Sequence, residues 1–290
     1  MSETKRMVAC LVVKAGRVVQ SIGFDRYLPV GKPEIAARFL DSWGIDEICL
    51  IDIDARREGR YIDPALVARV SANIFSPLAV GGGISSVAQM RELLAAGADK
   101  VVLNRALHDR PALVGAAAET FGAQCVIASV DVRSCDGRHV VALDSAGLPT
   151  ELEIGAFVRA LGPAGVGEIL LNDADRDGAG TGLNLELAER AAAHTDLPII
   201  LIGGVGHPQH IAQALAHPAV AAVAAANFWH FAEHSVGLAK AFCAQQGLKI
   251  RNSGAAGYAE FAFMRSGRLA KLDDAVLEER VFETVAEDLV

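Results

Sequence analysis

The chain repeats itself at an interval of 121 residues. The segment Ile48-Cys49-Leu50-Ile51-Asp52-Ile53-Asp54 is echoed by Ile169-Leu170-Leu171-Asn172-Asp173-Ala174-Asp175, an offset of 121 residues (169 − 48). Leu78-Ala79-Val80-Gly81-Gly82-Gly83 is echoed by Ile199-Ile200-Leu201-Ile202-Gly203-Gly204 at the same offset (204 − 83 = 121). An internal repeat implies that each copy is a structural unit whose apolar face the other copy helps to cover. An open, doubly wound sheet has no reason to repeat at this interval. A closed ring built from two equal halves does.

Short apolar runs suited to strands fall at 7–13, 47–53, 77–80, 100–103, 125–131, 167–172, 198–202 and 220–225. Each is too short for a helix, and most are rich in Val and Ile. Amphipathic stretches separate them, at 34–43, 64–73, 87–96, 111–121, 151–161, 185–194, 208–216 and 233–246. In 87–96 the apolar residues Val87, Met90, Leu93 and Leu94 keep helical spacing. Strict alternation of strand and helix implies a parallel sheet, and eight such units close into a barrel. The expected class is therefore α/β, a (β/α)8 TIM barrel over residues 1–251, followed by a C-terminal extension over 252–290. An insert at 133–148 reads as a hairpin turning at Asp136-Gly137. In the extension, 258–272 reads as another hairpin and 273–289 as a helix carrying Val276, Leu277, Val281, Phe282 and Val285 along one side.

Composition agrees with this class. Hydrophobic residues make up 52% of the chain but aromatics only 6%, so the core is built from small aliphatic side chains, as in sheets buried on both faces. A net charge of −8 without any long basic run argues against nucleic acid as a partner. No long uncharged apolar run suggests a membrane span, and Met1–Arg6 lacks the hydrophobic core of a signal peptide. Cys10, Cys49, Cys125, Cys135 and Cys243 form no paired motif, so free thiols in a reducing cytoplasm are expected. No His/Cys spacing resembles a metal site, and neither a metal nor another cofactor is expected.

In such a barrel the chemistry sits at the C-terminal ends of the strands. There the sequence places Gly82 and Gly83, Asn104, Gly203 and Gly204, and Ala226-Asn227. Glycines let backbone amides approach an anion closely. Sites in both halves suit a long substrate with a phosphate at each end. Asp52, Asp131, Asp173, Asp175 and Asp177 stand at or after strand ends, and Asp131 is the best placed for acid–base work. Asp52 fits a structural hydrogen bond equally well. The repeat partner of Asp131 falls at Val12 on the first strand, which can neither take nor give a proton.

Several motifs together resemble the HisF family, the cyclase subunit of imidazole glycerol phosphate synthase, over about residues 5 to 251. They are the opening segment at 10–19, Gly44-Ile45-Asp46-Glu47 with Asp52, Val80-Gly81-Gly82-Gly83-Ile84, Gly97-Ala98-Asp99-Lys100 with Asn104, and Phe121-Gly122-Ala123-Gln124 with Asp131. Further along come Gly167-Glu168-Ile169-Leu170-Leu171, Asp175-Arg176-Asp177-Gly178, and Phe231 after Trp229-His230. The resemblance implies a HisH-like glutaminase docked on the barrel's bottom face, with Asp99 at that interface. Ammonia would enter through a gate of Arg6, Glu47, Lys100 and Glu168. It would attack a phosphorylated substrate held by Gly82, Gly83, Asn104, Arg105, Asn172, Gly178, Gly203, Gly204, Ala226 and Asn227, with Asp131 and Asp177 catalytic. The same four gate residues would also fit an ordinary salt-bridge cluster.

The departures from the family are informative. Its first catalytic aspartate corresponds to Val12, a lysine of its flexible first loop to Gln20, a phosphate-site Thr or Ser to Arg105, and another Ser to Asn227. Three functions follow as expectations. The chain is a synthase subunit delivering ammonia to a substrate other than the histidine intermediate. Sugar amidation in surface-polysaccharide synthesis, with a third enzyme, is one form of this. Alternatively it is an orthodox cyclase, or a conduit without chemistry of its own.

Overall fold

The computed structural model describes residues 4–143, 148–232, 234–251, 257–259, 261–273 and 275. Eight parallel strands close into a barrel: β1 (Arg6–Lys14), β4 (Glu47–Asp52), β5 (Leu78–Gly81), β6 (Lys100–Leu103), β7 (Val126–Cys135), β10 (Glu168–Asp173), β11 (Ile199–Ile202) and β12 (Ala222–Ala225). β1 pairs with both β4 and β12, and β7 with both β6 and β10, so the ring has no free edge. The helices between these strands are α1 (Pro33–Ser42), α2 (Pro64–Ser71), α3 (Val87–Ala95), α4 (Arg105–Asp109), α5 (Pro111–Phe121), α6 (Ile154–Leu161), α7 (Leu185–Ala192), α8 (Pro208–Ala216) and α9 (Ser235–Gln245). Helix starts follow the local sequence. Asp63, Ser86 and Asn184 each accept a backbone N–H from the first turn of the helix they precede, satisfying donors that have no partner inside the helix.

The apolar residues divide into two cores. The larger lies between strands and helices, from Met7 and Leu11 through Leu93 and Leu171 to Val236. The smaller fills the barrel with Val8, Cys10, Cys49, Ala79, Val102, Ile127, Leu170, Ile200, Ala222 and Ala224. Strand residues point alternately to these two layers, which is why the strands read as continuous apolar runs.

The 121-residue repeat is carried through to atomic detail. Val12 pairs with Ile51 on β4, and Asp131 pairs with Asn172 on β10; residues 51 and 172 are 121 apart. Val12 therefore occupies the slot of Asp131 in the other half. A Cβ on Gly82 would lie 2.4 Å from Asp52 O, and one on Gly203, 121 residues later, 2.6 Å from Asp173 O. Both positions have φ above +100°, so glycine is required twice, for the same close approach.

Three segments depart from the sequence reading. The first loop is a hairpin, β2 (Arg17–Ile22) and β3 (Arg26–Gly31), added antiparallel to β1. Residues 151–153, expected to begin a helix, instead end β9 (Leu148–Glu153), which pairs with β8 (Arg138–Leu143). The pairing with β8 captures this stretch, and α6 starts only at Ile154. α4 was not anticipated. The turn at Asp136-Gly137 forms as read, with both residues at positive φ joining β7 to β8. In the extension, Phe263 and Leu269 pair antiparallel around a turn at Gly267. Of the helix expected over 273–289, all but residues 273 and 275 lie outside the described residues, and 252–256 do as well.

Candidate functional site

The two ends of the barrel carry different chemistry. At the bottom, the first residues of four barrel strands meet: Arg6 of β1, Glu47 of β4, Lys100 of β6 and Glu168 of β10. Arg6 donates to Glu47 at 2.8 Å and also to Glu168. Lys100 lies 3.0 Å from Glu47 and 3.2 Å from Glu168. Each base touches both acids, so the four close a ring across the barrel axis. Burial alone would lower the Arg6 guanidinium, but the bond to Glu168 and the charges of Glu168 and Glu47 outweigh it and move the group up. The cluster is neutral overall and mutually satisfied, which is the condition for charges to persist at a half-buried site. Asp99, next to Lys100, is exposed, and its carboxylate also accepts the Leu78 amide at 2.8 Å.

At the top, the strand ends surround a cavity of about 1000 Å³. Every residue expected in the substrate and catalytic sets lines it: Asp131 and Asp177, with Gly82, Gly83, Asn104, Arg105, Asn172, Gly178, Gly203, Gly204, Ala226 and Asn227. The gate residues do not, since they lie at the other end.

Asp131 sits on the cavity floor, held by Asn104 Nδ2 at 2.9 Å and Asn172 Nδ2 at 2.8 Å. Desolvation raises its pKa, the two amide bonds oppose that, and the nearby Asp177 charge adds to the rise. A carboxyl shifted upward in this way can hold a proton closer to neutrality, as a general acid or base requires. Asn104 and Asn172, expected to bind substrate, line the cavity, and their Nδ2 groups also orient Asp131, with Asn104 donating in addition to Ser129 O at 2.9 Å. The equivalent set in the other half is Val12, Ile51 and Ala226, an apolar patch on the same floor.

Asp177 has a further role that the sequence did not reveal. Its Oδ2 accepts from Ser21 Oγ at 2.7 Å and from Phe24 N at 3.0 Å. Asn227 clasps the backbone of the same Ser21, accepting its N–H at 3.0 Å and donating to its carbonyl at 2.6 Å. Gly178 lets that carbonyl approach, for a Cβ there would lie 2.6 Å from it. The β2–β3 hairpin is thus fastened over the mouth by residues of the expected catalytic and substrate sets, and Ser21, Phe24 and Tyr27 line the cavity with them. The alternation of Val18-Val19 and the Gly23 turn was the available signal. Asp52 is structural, accepting the Asp54 and Ala55 amides and pairing with Arg60 at 2.6 Å. Arg105 donates to Asp109 at 2.8 Å.

The comparisons with known proteins agree with this architecture. Residues 6–235 match the family model described as "Histidine biosynthesis protein". The chain is also 41% identical over 249 residues to "Imidazole glycerol phosphate synthase subunit HisF" of Myxococcus xanthus (strain DK1622). That alignment covers 86% of this chain and 98% of the relative. The barrel, the ion ring and the glycine-edged mouth are therefore those of a chain that belongs to the histidine biosynthesis protein family, as a HisF-like member.

Proposed function

We propose that this barrel is the ammonia-using subunit of a glutamine amidotransferase pair. A HisH-like glutaminase docks on the bottom face. Ammonia passes the ring of Arg6, Glu47, Lys100 and Glu168, crosses the interior, and meets a phosphorylated acceptor in the top cavity. The observation that carries the reading is the placement of a closed, neutral ion ring at the strand N-termini, opposite a large cavity at the C-termini. The interior between them is lined by small apolar residues such as Ala79, Ala222 and Ala224, which suit a small neutral molecule. Phe75 is fully exposed on the loop before β5, and the half-exposed Phe39 lies near the end of α1; both belong to the ring's end of the barrel, together with Asp99. Exposed aromatics beside a functional opening mark a docking face.

In this reading Asp131 moves protons at the acceptor, and Asn104 and Asn172 set its orientation. Asp177 is catalytic only when the hairpin releases it, because Ser21 and Phe24 hold its carboxylate otherwise. Val12 removes the second, opposed carboxylate, so the acceptor differs from the family's histidine intermediate. Loss of a positioned acid–base group typically costs about 10²–10⁴-fold. A second reading, orthodox cyclisation, is favoured by the 41% identity that extends over nearly the whole of the relative.

The test begins with size-exclusion chromatography of the barrel mixed with a HisH-like glutaminase from the same genome. Wild type is expected to co-elute as a 1:1 complex, and Asp99→Lys to lose it. Failure of wild type to form the complex defeats the proposal. Growth of a histidine auxotroph carrying only this barrel selects orthodox cyclisation over another acceptor. Asp131→Asn with unchanged turnover in the reconstituted complex would make the barrel a conduit serving a third, amidating enzyme.

A further inference from the structure

The barrel interior is stacked in rungs, and one rung is made of thiols. Along the seam between β1 and β4 the inward residues pair as Val8 with Glu47, Cys10 with Cys49, and Val12 with Ile51. Glu47 belongs to the ion ring and Val12 to the cavity floor. The two cysteines therefore lie midway, about 6.6 Å of strand from either, at two residues per rung. Under the proposed function this is a level that ammonia crosses. Among the five cysteines these two alone are register partners. Cys125 and Cys135 stand at opposite ends of β7, and Cys243 is in the outer core on α9.

The geometry of this rung suits a covalent bond. Neighbouring strands run about 4.7–4.9 Å apart, inside the roughly 4.4–6.8 Å between Cα atoms that a disulfide spans. Both side chains belong to the interior cluster, and the Cys10 thiol, followed by burial, pushes the Cys49 thiol well above its ordinary range. Cys49 therefore stays protonated and is a poor nucleophile toward an outside oxidant. The two also differ in access. Cys10 lines the mouth cavity, whereas Cys49 does not. A small neutral oxidant entering from the mouth meets Cys10 first, with Cys49 beside it as the resolving thiol.

We infer that Cys10 and Cys49 form an oxidant-responsive pair inside the barrel, which a peroxide converts to a disulfide. In the first step the Cys10 sulfur attacks one peroxide oxygen. The S–O bond forms, the O–O bond breaks, and the thiol proton leaves with the departing hydroxide as water. In the second step the Cys49 sulfur displaces that oxygen from Cys10. The S–S bond forms, the S–O bond breaks, and the Cys49 proton leaves with the hydroxide as a second water. The two sulfurs together give up two electrons, and the peroxide takes them. Exchange with an external dithiol reopens the pair. The closed bond ties β1 to β4 one rung above the contact between Arg6 and Glu47.

The full chain is treated with hydrogen peroxide, alkylated under denaturing conditions and mapped by peptide mass spectrometry. Wild type is expected to give a linked peptide joining Cys10 to Cys49, lighter by two hydrogens, which dithiothreitol reverses. Cys49→Ser should leave Cys10 as a sulfenic acid that dimedone captures. Cys10→Ser should slow the loss of the Cys49 thiol at least about tenfold, since the thiol that meets the oxidant is gone. If Cys125 and Cys135 are consumed with no linked peptide formed, or if Cys49 disappears as fast without Cys10, the inference fails. Circular dichroism checks that the variants fold, and alanine takes the place of serine in any that does not. The chemistry needs neither glutaminase nor acceptor, so a failed complex and an inert thiol pair are separate results.

Discussion

Restoring a carboxylate at position 12 tests the half-barrel symmetry directly. Val12→Asp places an acid in the slot equivalent to Asp131, but the neighbours there differ. Asp131 receives Nδ2 donors from Asn104 and Asn172, whereas the equivalent positions next to Val12 are Ala226 and Ile51. The new carboxyl would face the barrel floor without a side-chain donor. Leaving a buried polar group unpaired costs about 1–3 kcal/mol, and losing part of a valine's burial adds about 1 kcal/mol. With an unfolding entropy of about 2.1 cal/mol/K per residue, the 290-residue chain loses roughly 3–7 °C in Tm for the resulting 2–4 kcal/mol. The new group's folded pKa is raised by its surroundings. It therefore costs little below its unfolded value of about 3.9, and the penalty grows as pH rises above that value. Adding Ile51→Asn supplies the donor that Asn172 gives Asp131. Val12 and Ile51 are register partners, so the double variant should recover at least about 1 kcal/mol beyond additivity. Thermal melts of the four proteins at pH 4, 6 and 8 decide the matter. A Val12→Asp melt that is unchanged at every pH, or a coupling below about 0.5 kcal/mol, would refute the claim that the two halves present matching slots with unmatched polarity.

Other perturbations probe other parts of the frame. Lys240, buried on α9, donates to Gly44 O at 2.5 Å, Asp46 Oδ1 at 2.7 Å and Arg251 O at 2.8 Å. Lys240→Met strands the buried Asp46 and should cost about 3–5 kcal/mol in denaturant unfolding; a loss under 1 kcal/mol contradicts the staple. His230 is held neutral by burial, with its pKa lowered to about 4. The unfolded chain binds that proton first, so stability from this group is complete above about pH 6.5 and is lost as pH falls through 4. His230→Phe should flatten the acid limb of the stability curve in that window, and an unchanged limb rules the account out. Asn227→Ala removes both bonds to the Ser21 backbone, and amide exchange at Ser21 is expected to speed up at least about tenfold. Unaltered protection would show that Asp177 alone fastens the hairpin.

The sequence announces the fold because periodicity and repetition are local properties, and a closed ring needs only eight similar units. It announces the residues of the mouth for the same reason: a strand end is a strand end wherever the chain later goes. Their partners are a different matter. Nothing near Asp177 in the chain foretells Ser21, which is 156 residues away, because that contact depends on a hairpin folding back over the rim. Nor does the run at 151–153 show that β8 will recruit it into a sheet, since a stretch of this kind takes the structure of whichever surface offers hydrogen bonds. Asn104 and Asn172 were legible as polar residues at strand ends but not as the supports of Asp131. Their roles exchange with position: a side chain at the rim either meets the ligand or steadies the one that does. The repeat settles which half keeps that support, because Asp131, Asn104 and Asn172 have no polar equivalents in Val12, Ala226 and Ile51. The two halves share a backbone plan, and their chemistry has diverged at three side chains on one floor. Under the proposed function, the reaction in this mouth takes its protons from the Asp131 side, while the substrate rests an unreactive face on the other.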